Sequence, residues 1–184
     1  MTSSGFRFSL DSSVGRLARW LRLLGHDAAW EPGDNLSKAF ERARTEERFV
    51  VTRSHEVRRL GLSWPPCGGM ILRKDGLADQ LVELAGRWPL FSAAEPFTRC
   101  STCNLRLEEI DPEEARPHVP DYVAKTQPKF NRCPACRRVY WEATHASPIL
   151  TLFEEAAARS GQAIPWTAKK VDAGSGEPDP ASQV

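Results

Sequence analysis

"FSLDSSVGRLARWLRLLGHD", residues 8–27, changes its hydrophobic period in mid-run. Up to Asp11, Phe6, Phe8 and Leu10 alternate with polar residues, the period of a half-buried strand. Beyond it, Val14, Leu17, Leu21 and Leu24 recur at helical spacing. Ser12 or Ser13 can cap the start of that helix and Gly25 can close its end. Arg16, Arg19 and Arg22 fall largely off the apolar stripe.

The alternation continues outward from this stretch. "HDAAWE" reads as a short second strand, and a turn at Pro32-Gly33-Asp34-Asn35 leads into a helix with Leu36, Phe40 and Ala43 facing inward. Phe49 to Thr52 is the next strand and Met70-Ile71-Leu72 another. "GLADQLVELAGRW" then supplies a helix stripe of Leu77, Leu81, Leu84 and Trp88. Strands alternating with helices predict an α/β fold, a small parallel sheet of about four strands covered on both faces.

In such a sheet the functional rim lies at the carboxyl ends of the strands. Asp11 follows the first strand directly, Thr52-Arg53-Ser54 follows the third, Asp75 follows "MILR", and Asp34 opens the second helix. Carboxylates converging there favour a divalent cation such as Mg²⁺, which takes oxygen ligands, waters and substrate phosphates. Capping of the first helix is an equally ordinary role for Asp11, and Asp34 and Asp75 also suit turns or N-caps. Both readings stay open on pattern alone.

Four of the five cysteines fall into two pairs, Cys100/Cys103 and Cys133/Cys136, with 29 residues between them; Cys67 stands alone. Two Cys-x-x-Cys units in a turn-rich segment can give four thiolates to one structural Zn²⁺, with no position left open for substrate. Some fifty residues with few large apolar side chains would hardly fold on burial alone, and zinc supplies on the order of 10–16 kcal/mol. The expected organisation is a sheet domain over 1–96, a zinc ribbon over 97–150, a helix over 151–166 opened by a Thr151/Glu154 capping box, and a disordered tail over 167–184.

The chain has 184 residues and a formal charge of +1. Residues 1–96 carry 14 Lys/Arg against 12 Asp/Glu, residues 97–145 carry 8 against 7, and the rest 3 against 5. With no basic block, nucleic acid would have to bind to a local patch. The sequence has neither a long apolar span nor a signal-like N-terminus, so the expected address is cytoplasmic, with no membrane partner and no nucleotide cofactor.

"FSLDSSVGRLARWLRLLGHD", "RFVVTRS", "ADQL", "RCSTCNLRL" and "CPACRRVYWEATH" together resemble the Mut-seven C-terminal RNase family over about residues 6–150. That resemblance implies a PIN-like nuclease domain joined to a zinc ribbon, and a Mg²⁺- or Mn²⁺-dependent endoribonuclease acting on RNA. It matches Asp11 to the family's first acidic position and Asp34, about two positions off, to its second. Arg16, Arg19 and Arg22 match its basic first helix and, with Arg53 at the rim, are the residues expected to meet RNA phosphates. The family usually reads Thr-Arg-Asp where this chain has Thr52-Arg53-Ser54, so a hydroxyl stands in place of a carboxylate; Glu56 and Asp75 are the candidate substitutes. The alternative is a catalytically degenerate module that binds RNA or a protein partner without cleavage.

Overall fold

The computed structural model describes residues 6–141 and 146–166. The tail expected to be disordered, residues 167–184, lies outside them. Four short strands, β1 (Arg7–Leu10), β2 (Asp27–Ala29), β3 (Phe49–Thr52) and β4 (Gly69–Ile71), form one sheet in the order β2-β1-β3-β4. All three pairings are parallel, with Phe8 opposite Ala28 on one side and Phe49 on the other. The α/β expectation holds.

Helices α1 (Gly15–Leu23), α2 (Leu36–Thr45) and α3 (Leu77–Ala85) connect and follow the strands. Side chains alternate across a strand, and the core divides accordingly. Phe8, Leu10, Phe49 and Val51 pack with Leu17 and Leu21 of α1 and with Leu81 and Leu84 of α3. On the opposite face Val50 packs with Leu36, Phe40 and Ala43 of α2. Ser9, also directed there, donates its hydroxyl to Ala39 O at 2.9 Å. The predicted inward stripes of α1 and α2 are therefore the buried ones. Gly25 ends α1 at φ +93, and a Cβ there would lie 2.3 Å from Glu95 O. Only glycine fits both demands.

The second unit is an antiparallel sheet of β5 (Glu108–Ile110), β6 (Phe130–Arg132) and β7 (Val139–Trp141). Between β5 and β6 lie two short helices, α4 (Pro112–Ala115) and α5 (Asp121–Thr126). Its apolar core is small: Ile110, Ala115, Val123, Phe130 and Val139, with Trp141 against it.

The chain then returns to the first unit through α6 (Ala146–Ser160). This helix starts five residues ahead of the expected Thr151, which lies inside it. Pro148 occupies the first turn, where a backbone N–H has no intrahelical acceptor to lose, so proline there does not delay the start. Phe153, Ala156 and Ala157 of α6 join the core shared by α1 and α3, and Phe153 meets Trp20 edge-on at 5.7 Å. No helix among the described residues is long and apolar enough to cross a membrane.

Because α6 closes this core from beyond the cysteine module, Phe153→Ala should cost about 3–5 kcal/mol. Urea unfolding followed by tryptophan fluorescence reads that loss. A second expectation concerns His26, 1% exposed, whose ring N–H donates to Leu90 O at 2.7 Å. Burial holds its pKa below 6.5, against the opposing pull of that hydrogen bond. The unfolded chain thus binds the proton first, and stability is lost as pH falls below about 6.5. In His26→Gln that part of the pH dependence should vanish from denaturation midpoints.

Candidate active-site rim and four-cysteine centre

The exits of β1 and β3 meet through hydroxyl groups. Asp11, 4% exposed, caps the short 3-10 turn Ser12–Val14, and its Oδ1 accepts the Ser13 N–H at 3.2 Å and the Ser13 hydroxyl at 2.5 Å. Its Oδ2 accepts the Thr52 hydroxyl at 2.9 Å. Each of those hydroxyl oxygens in turn receives a backbone N–H from the exit of β3, Arg53 onto Ser13 at 2.9 Å and Ser54 onto Thr52 at 2.9 Å. With the amide occupying the oxygen, each hydroxyl proton points at Asp11. Among the described residues, Asp11 has no cation within ion-pair distance. Asp11 thus caps the turn, and among the described residues its buried carboxylate has no counter-charge.

The other rim acids have cations of their own. Asp34 is 3% exposed, and its Oδ2 accepts Arg42 at 2.6 Å and the Glu31 N–H at 2.8 Å. Only its backbone reaches the Asp11 turn, where Asp34 O accepts the Ser12 N–H at 2.8 Å and the Ser12 hydroxyl at 2.5 Å. Asp75, with its side chain 84% exposed, pairs with Arg53, and Glu56 pairs with Arg59. The Ser54 hydroxyl caps the next 3-10 turn, accepting Glu56 N–H at 3.3 Å. Arg16 is exposed, whereas Arg19 is half-buried and engaged.

Arg22 departs from its expected phosphate-facing position. It is 4% exposed and spends its donors on four backbone carbonyls: Ala28, Trp30, Ser101 and Thr102. The reason is the cysteine module, which covers this flank of α1. The sequence placed Thr52 at the rim and Ser13 at the helix start without linking either to Asp11, and it did not single out Arg42. The one local signal was Ser13 two residues after Asp11, the spacing at which an Asp side chain bonds its own backbone.

The four cysteines converge. Their Sγ atoms all lie within 4.8 Å of one another, and among the described residues no other group of three or more His, Cys, Asp or Glu side chains could hold a metal ion. Cys100 and Cys136 Sγ are 3.8 Å apart, the edge of a tetrahedron whose corners lie about 2.3 Å from its centre, which is the zinc–thiolate distance. Two matching turns deliver them. The amide of Asn104 returns to Cys100 O and that of Arg137 to Cys133 O, with Asn104 and Arg137 at φ 65 and 62. The Tyr140 hydroxyl lies 3.1 Å from Cys100 Sγ, and the Cys103 N–H donates to the same sulfur at 3.2 Å. Burial pushes the Cys100 thiol up, but those hydrogen bonds outweigh it and bring its pKa to about 7. Burial, with Cys136 and Cys100 beside it, pushes Cys103 up to about 12. Crowded sulfurs of this kind cannot all ionise until a cation joins them.

A family model described as Mut7-C RNAse domain matches residues 6–153. No curated protein and no solved structure matches the chain.

The sulfur geometry predicts about one equivalent of metal per chain. Elemental analysis should find it in the purified protein, a mercurial should release it, and Cys133→Ser should abolish retention.

Proposed function

The chain belongs to the Mut7-C RNAse domain family, and from that premise we propose that it hydrolyses RNA phosphodiester bonds at the rim around Asp11. In this reading Mg²⁺ or Mn²⁺ is held through Asp11, the four cysteines carry structural zinc, and the reducing cytoplasm keeps their thiols free for it. The observation that carries it is Asp11 itself: buried, oriented by three donors, and unmatched by any cation among the described residues. The three donors leave one lone pair on Oδ2 uncommitted. A single carboxylate suits Mg²⁺, which keeps several waters and takes its other ligands from substrate phosphates. When bound, such an ion lowers the pKa of a water and offsets charge developing on the phosphate.

The chain's own residues do the rest. Ser13 and Thr52 keep the Asp11 carboxylate in one rotation, so no orientation is lost when substrate arrives. Arg16 and Arg53 take the phosphates that flank the bond to be cut. Arg53 is available because its pairing with exposed Asp75 is a surface interaction, worth no more than about 1 kcal/mol. A phosphate that displaces Asp75 from Arg53 also frees that carboxylate at the rim. Asp34, through its backbone, supports the turn that carries Asp11, and its charge stays with Arg42. Ser54 contributes a hydroxyl and a helix cap.

A second reading, RNA or protein binding without cleavage, is favoured by one observation: Ser54 offers no charge, and Asp34 is committed to Arg42. Arg137 and Arg138 of the cysteine module would then share in retention.

The test is cleavage of single-stranded and structured RNA with Mg²⁺ or Mn²⁺. Asp11→Asn should lower the rate roughly 100-fold or more, the scale on which electrostatic groups contribute. Arg53→Ala should weaken RNA binding more than turnover. Cleavage that survives Asp11→Asn overturns the first reading, and RNA retained without turnover supports the second.

A further inference from the structure

Arg22 is a guanidinium sealed from water with no carboxylate within ion-pair distance among the described residues. Its Nε donates to Ala28 O at 2.8 Å and its Nη2 to Trp30 O at 3.0 Å, both on the strand side. Its Nη1 donates to Ser101 O at 3.2 Å and Thr102 O at 2.7 Å. Ser101 and Thr102 are the two residues inside the first Cys-x-x-Cys turn. Hydrogen bonds offset part of the cost of burying a charge, and a counter-charge nearby offsets more of it. Four thiolates around one dication carry a net charge of −2, and the two residues that supply those carbonyls lie between two of the four, Cys100 and Cys103.

A second link runs alongside. Asn104, directly after Cys103, accepts the Ala28 N–H at 3.0 Å and donates to Asp27 Oδ1 at 2.6 Å. Arg99, directly before Cys100, donates to Gly25 O at 3.0 Å and to Asn104 O at 2.7 Å. β2 is an edge strand, so one side of its backbone has no neighbouring strand. The N–H and C=O of Ala28 are instead taken by Asn104 and Arg22. The cysteine turn therefore covers the sheet edge as a strand would.

We propose that the metal-loaded cysteine centre is the counter-charge of Arg22, and that metal loading orders β2, the edge strand of the parallel sheet. In the loaded protein Arg22 faces a dianionic centre and a turn held rigid by its ligands. Without metal the turn loosens, the carbonyls of Ser101 and Thr102 withdraw, and Arg22 and Ala28 lose their partners on that side. Arg22 is thus a positioning residue for the metal centre, acting across the boundary between the two units. The inference is independent of whether the rim cleaves RNA.

The experiment is residue-resolved hydrogen exchange on the full chain, with its metal and after removal by a strong chelator, metal content being measured in each sample. The expected result is exchange at the Ala28 amide at least about 10-fold faster without metal, while the amides of α3 keep their protection. A parallel arm follows metal transfer to a chromogenic chelator. Arg22→Met should transfer it about 10–100-fold faster, the scale for groups that support metal ligands, with Arg22→Lys between Met and wild type. Unchanged Ala28 exchange, loss of protection that is equal throughout the chain, or metal retention by Arg22→Met equal to wild type would each overturn the proposal. The hydrogen-exchange arm uses the unaltered chain, so it decides the ordering of β2 even where Arg22→Met fails to fold, and Arg22→Lys then carries the transfer arm.

Discussion

A guanidinium closed off from water must find oxygen atoms for its N–H groups, and that requirement at Arg22 organises the molecule. Its four acceptors come from segments far apart in the chain, Ala28 and Trp30 beside β2 and Ser101 and Thr102 in the cysteine turn. Satisfying them places α1, the edge strand and the cysteine turn against one another. A misplacement that orphaned even one N–H would cost about 1–3 kcal/mol, more for a charged donor. The arrangement is therefore specific as well as stabilising. Asn104 and Arg99 use the same principle beside it, side-chain donors meeting backbone carbonyls and carboxylates across the junction.

The rim obeys a different economy. Asp34 and Asp75 each have an arginine, and Glu56 has Arg59, so these charges are neutralised locally. Among the described residues Asp11 is the exception. Three hydrogen bonds to a charged acceptor contribute about 1.5–3 kcal/mol each, which is comparable with the several kcal/mol that burial of one ion costs after relaxation. Hydroxyls and an amide can thus hold a carboxylate inside the protein without a cation at its side. An arginine in that place would have met the same cost but closed the position to any ligand.

Much of this was legible in the sequence, and the boundary between what was and was not is physical. Strand and helix periods are local, so the parallel sheet and the buried stripes of α1 and α2 could be read directly. Cys-x-x-Cys pairs are local too, and their convergence needed only one assumption, that a small core requires a staple. Arg22 was read as a phosphate contact, whereas its direction depends on carbonyls 79 and 80 residues further on. Nothing in the α1 pattern announces them. The choice between capping and ligation at Asp11 was likewise undecidable locally, since Thr52 lies 41 residues away. Asp34 looked available until Arg42, two helical turns along α2, proved to be within 2.6 Å.

The return of the chain through α6 adds a consequence for how the parts depend on one another. The cysteine module is inserted between α3 and α6, and α6 completes the core that α1 and α3 begin. Inserting a long loop costs little entropy once its ends are fixed, because closure grows only with the logarithm of length. A metal-ordered module does better than a loop, since its own contacts hold its two ends in place. A metal held by the four cysteines would act on the sheet unit in two ways: by contact through Arg22 and Asn104, and by shortening the effective tether to α6. Contact fades within a few ångströms, whereas the tether acts on the whole core. Loss of metal should therefore be felt first at β2, where contact is direct, and only afterwards as a weaker hold on Phe153.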